Sequence, residues 1–388
     1  MTEQLAKRLD GFDQPTVWHE FTSLALEHKA INLGQGFPDW QCEDFVKKAA
    51  KDALDADFNQ YARPQGHKKL VQVLAKQYSK ELKHEINWTN EVAVGVGATE
   101  TIYAAINSYV EPEDEVVVFE PAFDIYSAQV QMAGGKCRFV PLSVRVSEQS
   151  GAKEFYVDEP TLAAAFSSKT RAVLLNNPHN PTGKAFTEEE LELKHVRIAN
   201  MDGMWERTLT VSSAGKTFSV TGWKVGWAIG PSNLIKGACL ANNWIQFSVA
   251  TPLQEAVASM LDLAEKPYKE YPTFYAFVAD QYKQKRDRLT CSLVDVGIVP
   301  ITPGGGIFLY SDISAIKVPD SFIQPNMTHD WAFCRWLTIT KGVTAIPTTA
   351  FFCNENKTDG SQWARFAFCK TDEAINEAIK RLAKLRDS

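Results

Sequence analysis

Lys216 is the residue of this chain best placed to do covalent chemistry. It lies in Ser212-Ser213-Ala214-Gly215-Lys216-Thr217-Phe218-Ser219-Val220-Thr221-Gly222-Trp223-Lys224, just past a run rich in β-branched residues, Thr208 to Val211. Small neighbours let a flat ligand approach the backbone, and Ser213, Ser219 and Lys224 can hold an anionic group. A primary amine beside a phosphate site is what a cofactor bound as a Schiff base requires.

Other readings of this segment compete. Gly215-Lys216-Thr217 mimics the end of a phosphate-binding P-loop, but that motif needs a glycine where this chain has Thr210. Ser213 and Lys216 have the spacing of the serine/lysine pair of penicillin-recognising enzymes, yet no Lys-Thr-Gly partner exists. A solvated lysine in a glycine turn is the plain structural alternative.

Four further groups of residues bear on the choice. Gly97-Ala98-Thr99 ends an apolar run and opens a helical one, and free N–H groups at a helix start bind phosphate as readily as they accept a cap. Phe123 and Tyr126 follow a second apolar run, where a ring can stack on a planar ligand or pack into a core. Asn176-Asn177-Pro178-His179-Asn180-Pro181-Thr182-Gly183 carries two Asn-Pro steps, which stiffen a loop and aim amide side chains at one place. Arg365 interrupts the alternating strand Trp363 to Cys369. Its guanidinium, on the face opposite Phe366 and Phe368, suits a carboxylate bound through two hydrogen bonds, or a structural salt bridge.

The elements that must position these residues alternate. Val92–Val96, Glu115–Phe119, Ala172–Leu175, Thr208–Val211 and Val225–Ile229 read as short buried strands, with a helix over Ala98–Val110. This is the pattern of a mostly parallel sheet with helices on both faces, whose ligands bind beyond the strand carboxyl ends. After residue 268 the texture changes to a long helix, Tyr268–Leu293, then Pro303-Gly304-Gly305-Gly306-Ile307-Phe308-Leu309 and the Arg365 strand, as in a smaller α+β domain. At 388 residues two domains are expected. The boundaries read as an arm over 1–40, a large domain over 41–268 and a small domain over 269–388.

Bulk properties exclude several classes. A net charge of -6 argues against a nucleic-acid partner. No apolar run reaches the roughly 18 residues of a membrane span. The seven cysteines form no Cys-x-x-Cys pair, which fits a reducing compartment and gives no metal signature. Met1 to Asp13 lacks an apolar core for a secretory signal, and its acidic residues disfavour a mitochondrial presequence, so a cytoplasmic location is expected.

Taken in order, these pieces resemble the class I pyridoxal-phosphate aminotransferases of fold type I over nearly the whole chain. Asn32-Leu33-Gly34-Gln35-Gly36-Phe37-Pro38-Asp39, Asn59-Gln60-Tyr61, Asn180-Pro181-Thr182-Gly183, Gly203-Met204-Trp205-Glu206-Arg207 and Ser213 to Ser219 are similar to the kynurenine aminotransferase / cysteine-S-conjugate β-lyase branch. The resemblance implies a seven-stranded, mostly parallel large domain and pyridoxal 5′-phosphate as cofactor. It makes Lys216 the Schiff-base lysine and proton shuttle. Ala98, Thr99, Ser213 and Lys224 would hold the cofactor phosphate, Phe123 would stack on its ring, and Asn180 would bond its phenolic oxygen, helped by Asn176. Arg365 would take the substrate α-carboxylate, with Asn180 and the Gly36 backbone nearby. Trp18, Tyr126 and Phe247 would shape the side-chain pocket. Tyr61 would reach the phosphate site of a neighbouring subunit, so a homodimer is implied. Ser248 stands where relatives often carry histidine, which touches fine substrate preference.

One departure stands out. The family places an aspartate on a buried strand between the Asn-Pro-Thr-Gly loop and the lysine, to pair with the pyridinium nitrogen, and a tyrosine three residues later. Here a helical stretch, Thr187 to Lys194, runs straight into His195-Val196-Arg197-Ile198-Ala199. Either the sequence skips a segment, or the chain is truly shortened. Asp202, in a Met-Asp-Gly turn, is no replacement. The implied activity is transfer of an α-amino group from an aromatic or sulfur-containing amino acid, kynurenine first, to a 2-oxo acid. A cysteine-conjugate β-lyase or glutamine transaminase is the neighbouring alternative. A non-catalytic dimer of the same fold follows if the shortening is genuine.

Overall fold

The computed structural model describes residues 5–148, 151–186 and 198–386. The helical stretch expected from Thr187 to Lys194 lies outside them. Among the described residues the strands are, in chain order, β1 (Ile31–Asn32), β2 (Val92–Val96), β3 (Glu115–Glu120), β4 (Lys136–Val146), β5 (Lys153–Val157), β6 (Thr170–Leu174), β7 (Thr210–Ser213), β8 (Val225–Ile229), β9 (Val299–Ile301), β10 (Phe308–Asp312), β11 (Val343–Thr344), β12 (Ile346–Pro347) and β13 (Trp363–Ala367). The chain falls into two compact units: Met1–Pro38 with Pro112–Glu190 and Tyr282–Ser388, and Asp39–Glu111 with Leu191–Gln281.

In the first unit, β3 reads Glu-Val-Val-Val-Phe-Glu and buries all three valines, as a strand covered on both faces must. It pairs in parallel with β4 on one side and β6 on the other, and β4 turns back antiparallel into β5, giving the order β5-β4-β3-β6. The β4–β5 hairpin was not among the expected strands. β6 has β3 as its one strand partner among the described residues, and Val173 is 46 % exposed, although the strand reads as an interior one.

The C-terminal part of the same unit is an antiparallel sheet, β12-β13-β10-β9, flanked by the short parallel pair β1-β11. Ala364, Phe366 and Phe368 enter the core together with Leu309, Phe333 and Ile375. Arg365, one residue out of phase with them, sits opposite Tyr310 on β10 and Ile346 on β12.

In the second unit, β8 runs antiparallel between β2 and β7. All five residues of β8 are buried. The helix Gly97–Tyr109 starts on the residue after β2. Helices Asp44–Asp55, Lys68–Leu82 and Thr251–Ala264 supply the core, with Val46, Leu70, Leu74, Val257 and Met260 fully buried. The strands expected as one seven-stranded sheet thus form a four-stranded and a three-stranded sheet, each ending in a strand, β6 or β7, paired on one side only among the described residues.

Two boundaries differ from expectation for local reasons. The long helix starts at Phe274, because Tyr268 and Tyr271 exchange backbone hydrogen bonds in a turn, Pro272 follows, and Thr273 Oγ1 accepts from Ala276 N as a cap. The fourth expected strand begins at Thr210 because Trp205–Arg207 is wound into a short 3₁₀ turn.

Candidate active site

Each unit gathers its own set of the expected residues. In the second unit, Lys216 lies in the turn that follows β7, and it is exposed. The turn is held by Ala214 N donating to Val225 O at 3.1 Å, Phe218 N to Ala214 O at 3.1 Å and Val220 N to Gly215 O at 2.9 Å. Ser213 ends β7 opposite Gly226. A Cβ on Gly226 would stand 2.4 Å from the carbonyl carbon of Gly97 and 2.5 Å from Ala98 N, so only glycine lets β8 press against this helix start. Gly97 itself has φ +73°, and a Cβ there would come 3.0 Å from Lys224 Nζ. Lys224 adopts the left-handed conformation at φ 54°, which brings its chain back over the same place. Ala98, Thr99, Ser213 and Lys224 therefore surround one helix N-terminus, where backbone N–H groups and the dipole favour an anion.

Glu100, which sequence reasoning passed over, lies in the first turn of that helix. Its Oε2 accepts from Val96 N at 2.8 Å and from Gln246 Nε2 at 3.2 Å, while Oε1 is buried without a partner. Burial raises its carboxyl above the usual range, opposed by the Val96 N–H. Tyr61 and Phe247 meet edge to face with ring centroids 5.3 Å apart, and Tyr61 is 85 % exposed.

In the first unit, the Asn-Pro loop folds on its own side chains. Asn180 N donates to Asn176 Oδ1 at 2.7 Å, His179 N to Lys184 O at 2.8 Å and Gly183 N to His179 O at 2.7 Å, with His179 Nδ1 2.9 Å from Thr182 Oγ1. This presents the Asn180 amide to Arg365, whose Nη1 donates to Asn180 Oδ1 at 3.0 Å. Arg365 Nη2 donates to Gly34 O at 2.6 Å, and Nε is buried without a partner. Gly36 lies against Phe308, whose ring is 4.0 Å from Arg365 Cζ.

Among the described residues no carboxylate forms an ion pair with Arg365, although it is 1 % exposed. Burial lowers its pKa to about 9, with Cys369 and Asp124 acting the other way, so it stays charged at neutral pH. Three rings line it: Phe308, Phe351 at 4.9 Å and Trp18 at 5.2 Å. Trp18 meets Phe123 at 6.4 Å, and Phe123 meets Tyr126 edge to face at 5.9 Å. Trp18, Phe123, Tyr126, Asn176, Asn180 and Arg365 therefore form one connected group. Phe351, Gly34 and Asp124 belong to it as well and went unread in the sequence. Asp124 stands between Phe123 and Tyr126, a lone carboxylate between two aromatics, and that was the available signal.

The residues present fit one end of pyridoxal phosphate: an anion cradle at the Gly97 helix start, with an exposed lysine on the neighbouring turn. Between Lys194 and Ser213 the acidic residues are Asp202 and Glu206, and both are exposed. Lys194 and Ser213 are joined by eighteen residues in the 388-residue sequence.

The family described as Aminotransferase class I and II matches residues 28–194 and 192–382, two pieces that overlap at 192–194. A kynurenine--oxoglutarate transaminase of Dictyostelium discoideum is 41 % identical, covering 96 % of this chain and 94 % of its own length. That alignment runs over 415 positions, more than this chain has residues. Among solved structures, Bna3p from Saccharomyces cerevisiae superposes with a TM-score of 0.91 at 31 % identity, covering 99 % of both chains. YbdL from Escherichia coli, with a methionine aminotransferase function, gives 0.87 at 29 %, over 99 % of this chain and 100 % of its own. The chain belongs to the class I and II aminotransferases, pyridoxal-phosphate enzymes of fold type I that move an amino group between an amino acid and a 2-oxo acid.

Proposed function

We propose that this aminotransferase takes an aromatic or sulfur-containing L-amino acid as donor, kynurenine first, and a 2-oxo acid as acceptor. Elimination from donors with a leaving group on the β-carbon is the expected side activity. The observation that carries the reading is Arg365, a buried cation whose hydrogen-bond partners among the described residues are neutral and which is walled by Trp18, Phe308 and Phe351. A guanidinium so placed has a free charge to give an incoming carboxylate, and the rings favour an apolar or aromatic side chain. The names of the Dictyostelium relative and of YbdL support these two donor classes.

Roles follow for the other residues. Lys216 would hold the cofactor covalently and move the proton at the substrate α-carbon, Ala98, Thr99, Ser213 and Lys224 would hold the phosphate, and Phe123 would stack on the ring. Asn180, fixed by Asn176, orients both the phenolic oxygen and Arg365. When bound, pyridoxal phosphate supplies an electron sink for the negative charge that develops at the α-carbon. Tyr126 and Phe247 complete the side-chain pocket. Steady-state rates over a panel of donors, with kynurenine, methionine, glutamine and a cysteine conjugate, test the assignment. Glutamine leading kynurenine by an order of magnitude would reverse it.

Further parts of the reading have separate supports. A homodimer agrees with an apolar surface on the second unit, where Tyr61, Leu240, Trp244, Ile245 and Phe247 are exposed, Trp244 at 86 %. A Trp244→Glu chain that sediments as the same dimer would count against that surface. A cytoplasmic location agrees with seven free cysteines and with the absence, among the described residues, of a helix long and apolar enough to cross a membrane. The arm, large-domain and small-domain division at 40 and 268 stands as part of the same proposal.

A further inference from the structure

We propose that Asp124 sets the charge class of side chain that this site accepts: it fixes the indole of Trp18 beside Arg365 and turns away substrates whose side chain ends in an anion. The inference rests on the reading that Arg365 receives the α-carboxylate.

Asp124 immediately precedes the helix Ile125–Met132, between Phe123 and Tyr126. Its Oδ2 accepts from Trp18 Nε1 at 2.9 Å, so the ring cannot rotate away without breaking that bond. Trp18 in turn touches Phe123 at 6.4 Å, Phe351 at 6.0 Å and the Arg365 guanidinium at 5.2 Å. Asp124 is half-buried, and among the described residues no cation forms an ion pair with it. Its field nonetheless reaches Arg365, where it favours the charged guanidinium.

The consequences differ by substrate class. Arg365 is the cation of this aromatic group and is committed to the α-carboxylate. A second carboxylate entering among Trp18, Phe123 and Tyr126 meets the charge of Asp124, and like charges at close range suppress binding. A neutral ring or a thioether meets the faces and edges of three aromatics and no such charge. Donors with neutral side chains and monocarboxylic 2-oxo acids are therefore favoured. A dicarboxylic 2-oxo acid serves at higher concentration.

Asp124→Asn separates the two roles, since its amide oxygen still accepts from the Trp18 indole while the charge is gone. The probes are 3-phenylpropanoate and glutarate, titrated calorimetrically into the purified protein, with Michaelis constants for phenylalanine and glutamate measured alongside. Asp124→Asn should tighten glutarate about tenfold, lower the Michaelis constant for glutamate by the same factor, and leave 3-phenylpropanoate within about twofold. Trp18→Phe should weaken 3-phenylpropanoate and leave glutarate unchanged. Raising ionic strength should narrow the wild-type preference and leave Asp124→Asn flat, which a purely structural role would not produce. Should Asp124→Asn melt well below the wild type, Asp124→Ser is read in the same way. An unchanged preference in the folded variant overturns the proposal. Arg365→Gln isolates the underlying assumption: if it loses neither probe, the carboxylate reading fails, and if it loses both while Asp124→Asn is silent, the role of Asp124 alone falls.

Discussion

The guanidinium of Arg365 and the amide of Asn180 meet at 3.0 Å, an ion held by a neutral dipole in a place where burial costs the charge dearly. A buried cation without a counter-charge destabilises a fold, and replacing it with an apolar side chain of similar length commonly stabilises it. Arg365→Met should raise the melting temperature by a few degrees while kcat/KM falls about 10- to 100-fold, the loss of one or two charge-assisted hydrogen bonds to the substrate. A variant that is both less stable and fully active would show that the guanidinium is structural.

The phosphate cradle separates into a packing part and a charge part. Gly226→Ala forces a methyl to within 2.4 Å of the Gly97 backbone, so it should lower the melting temperature by several degrees and weaken pyridoxal-phosphate binding together. Lys224→Ala removes an exposed cation and should weaken binding with the melting temperature of the apo-protein unchanged. Equilibrium dialysis of the cofactor and thermal melts on both variants distinguish the cases. Lys216→Ala should bind the cofactor yet give no borohydride-trapped adduct on peptide mapping.

Much of this arrangement was legible in the sequence, and the failures have a common cause. Val92–Val96 and Val225–Ile229 are found as expected because each is an apolar run buried on both faces. Arg365 stood out because it breaks an alternating strand. Asp124 carries no periodic signature, and its importance arises only when Trp18, more than a hundred residues away, folds against it. That Gly34 O accepts from Arg365 depends on the reach of a guanidinium in the folded chain, which spacing along the sequence does not encode.

His179 gives the first unit a pH-dependent stability. Burial drives it down from 6.5 to about 3, helped by Lys184 and opposed by a hydrogen bond with the Phe119 backbone. Below about pH 6.5 the unfolded chain takes up a proton that the folded chain refuses, so stability falls as pH falls through this window. The slope is up to about 1.4 kcal/mol per pH unit. His179→Gln should show a smaller drop in urea midpoint between pH 7 and pH 5 than the wild type does. An equal drop would mean that other groups govern acid unfolding. Because the same ring spaces Asn180 through Thr182 and Gly183, the variant should also raise KM more than it lowers kcat.

The chain that follows β6 carries the strongest expectation about activity. β6 is a short strand whose one strand partner among the described residues is β3, and it exposes Val173 beside Arg171. The two pieces of the family match overlap at 192–194, about twenty residues after β6, and the Dictyostelium relative aligns over more positions than this chain has residues. Without a buried carboxylate the ring nitrogen of the cofactor loses its proton more readily. Turnover should then run about 10²- to 10³-fold below that relative, the size of losing one preorganised electrostatic partner. A chimera carrying the relative's segment between Phe186 and Ile198 should melt higher and recover most of that rate. If it melts higher without faster turnover, the strand matters to the fold alone. If the unmodified chain already matches the relative's kcat, no such carboxylate is needed, and the argument from its loss is wrong.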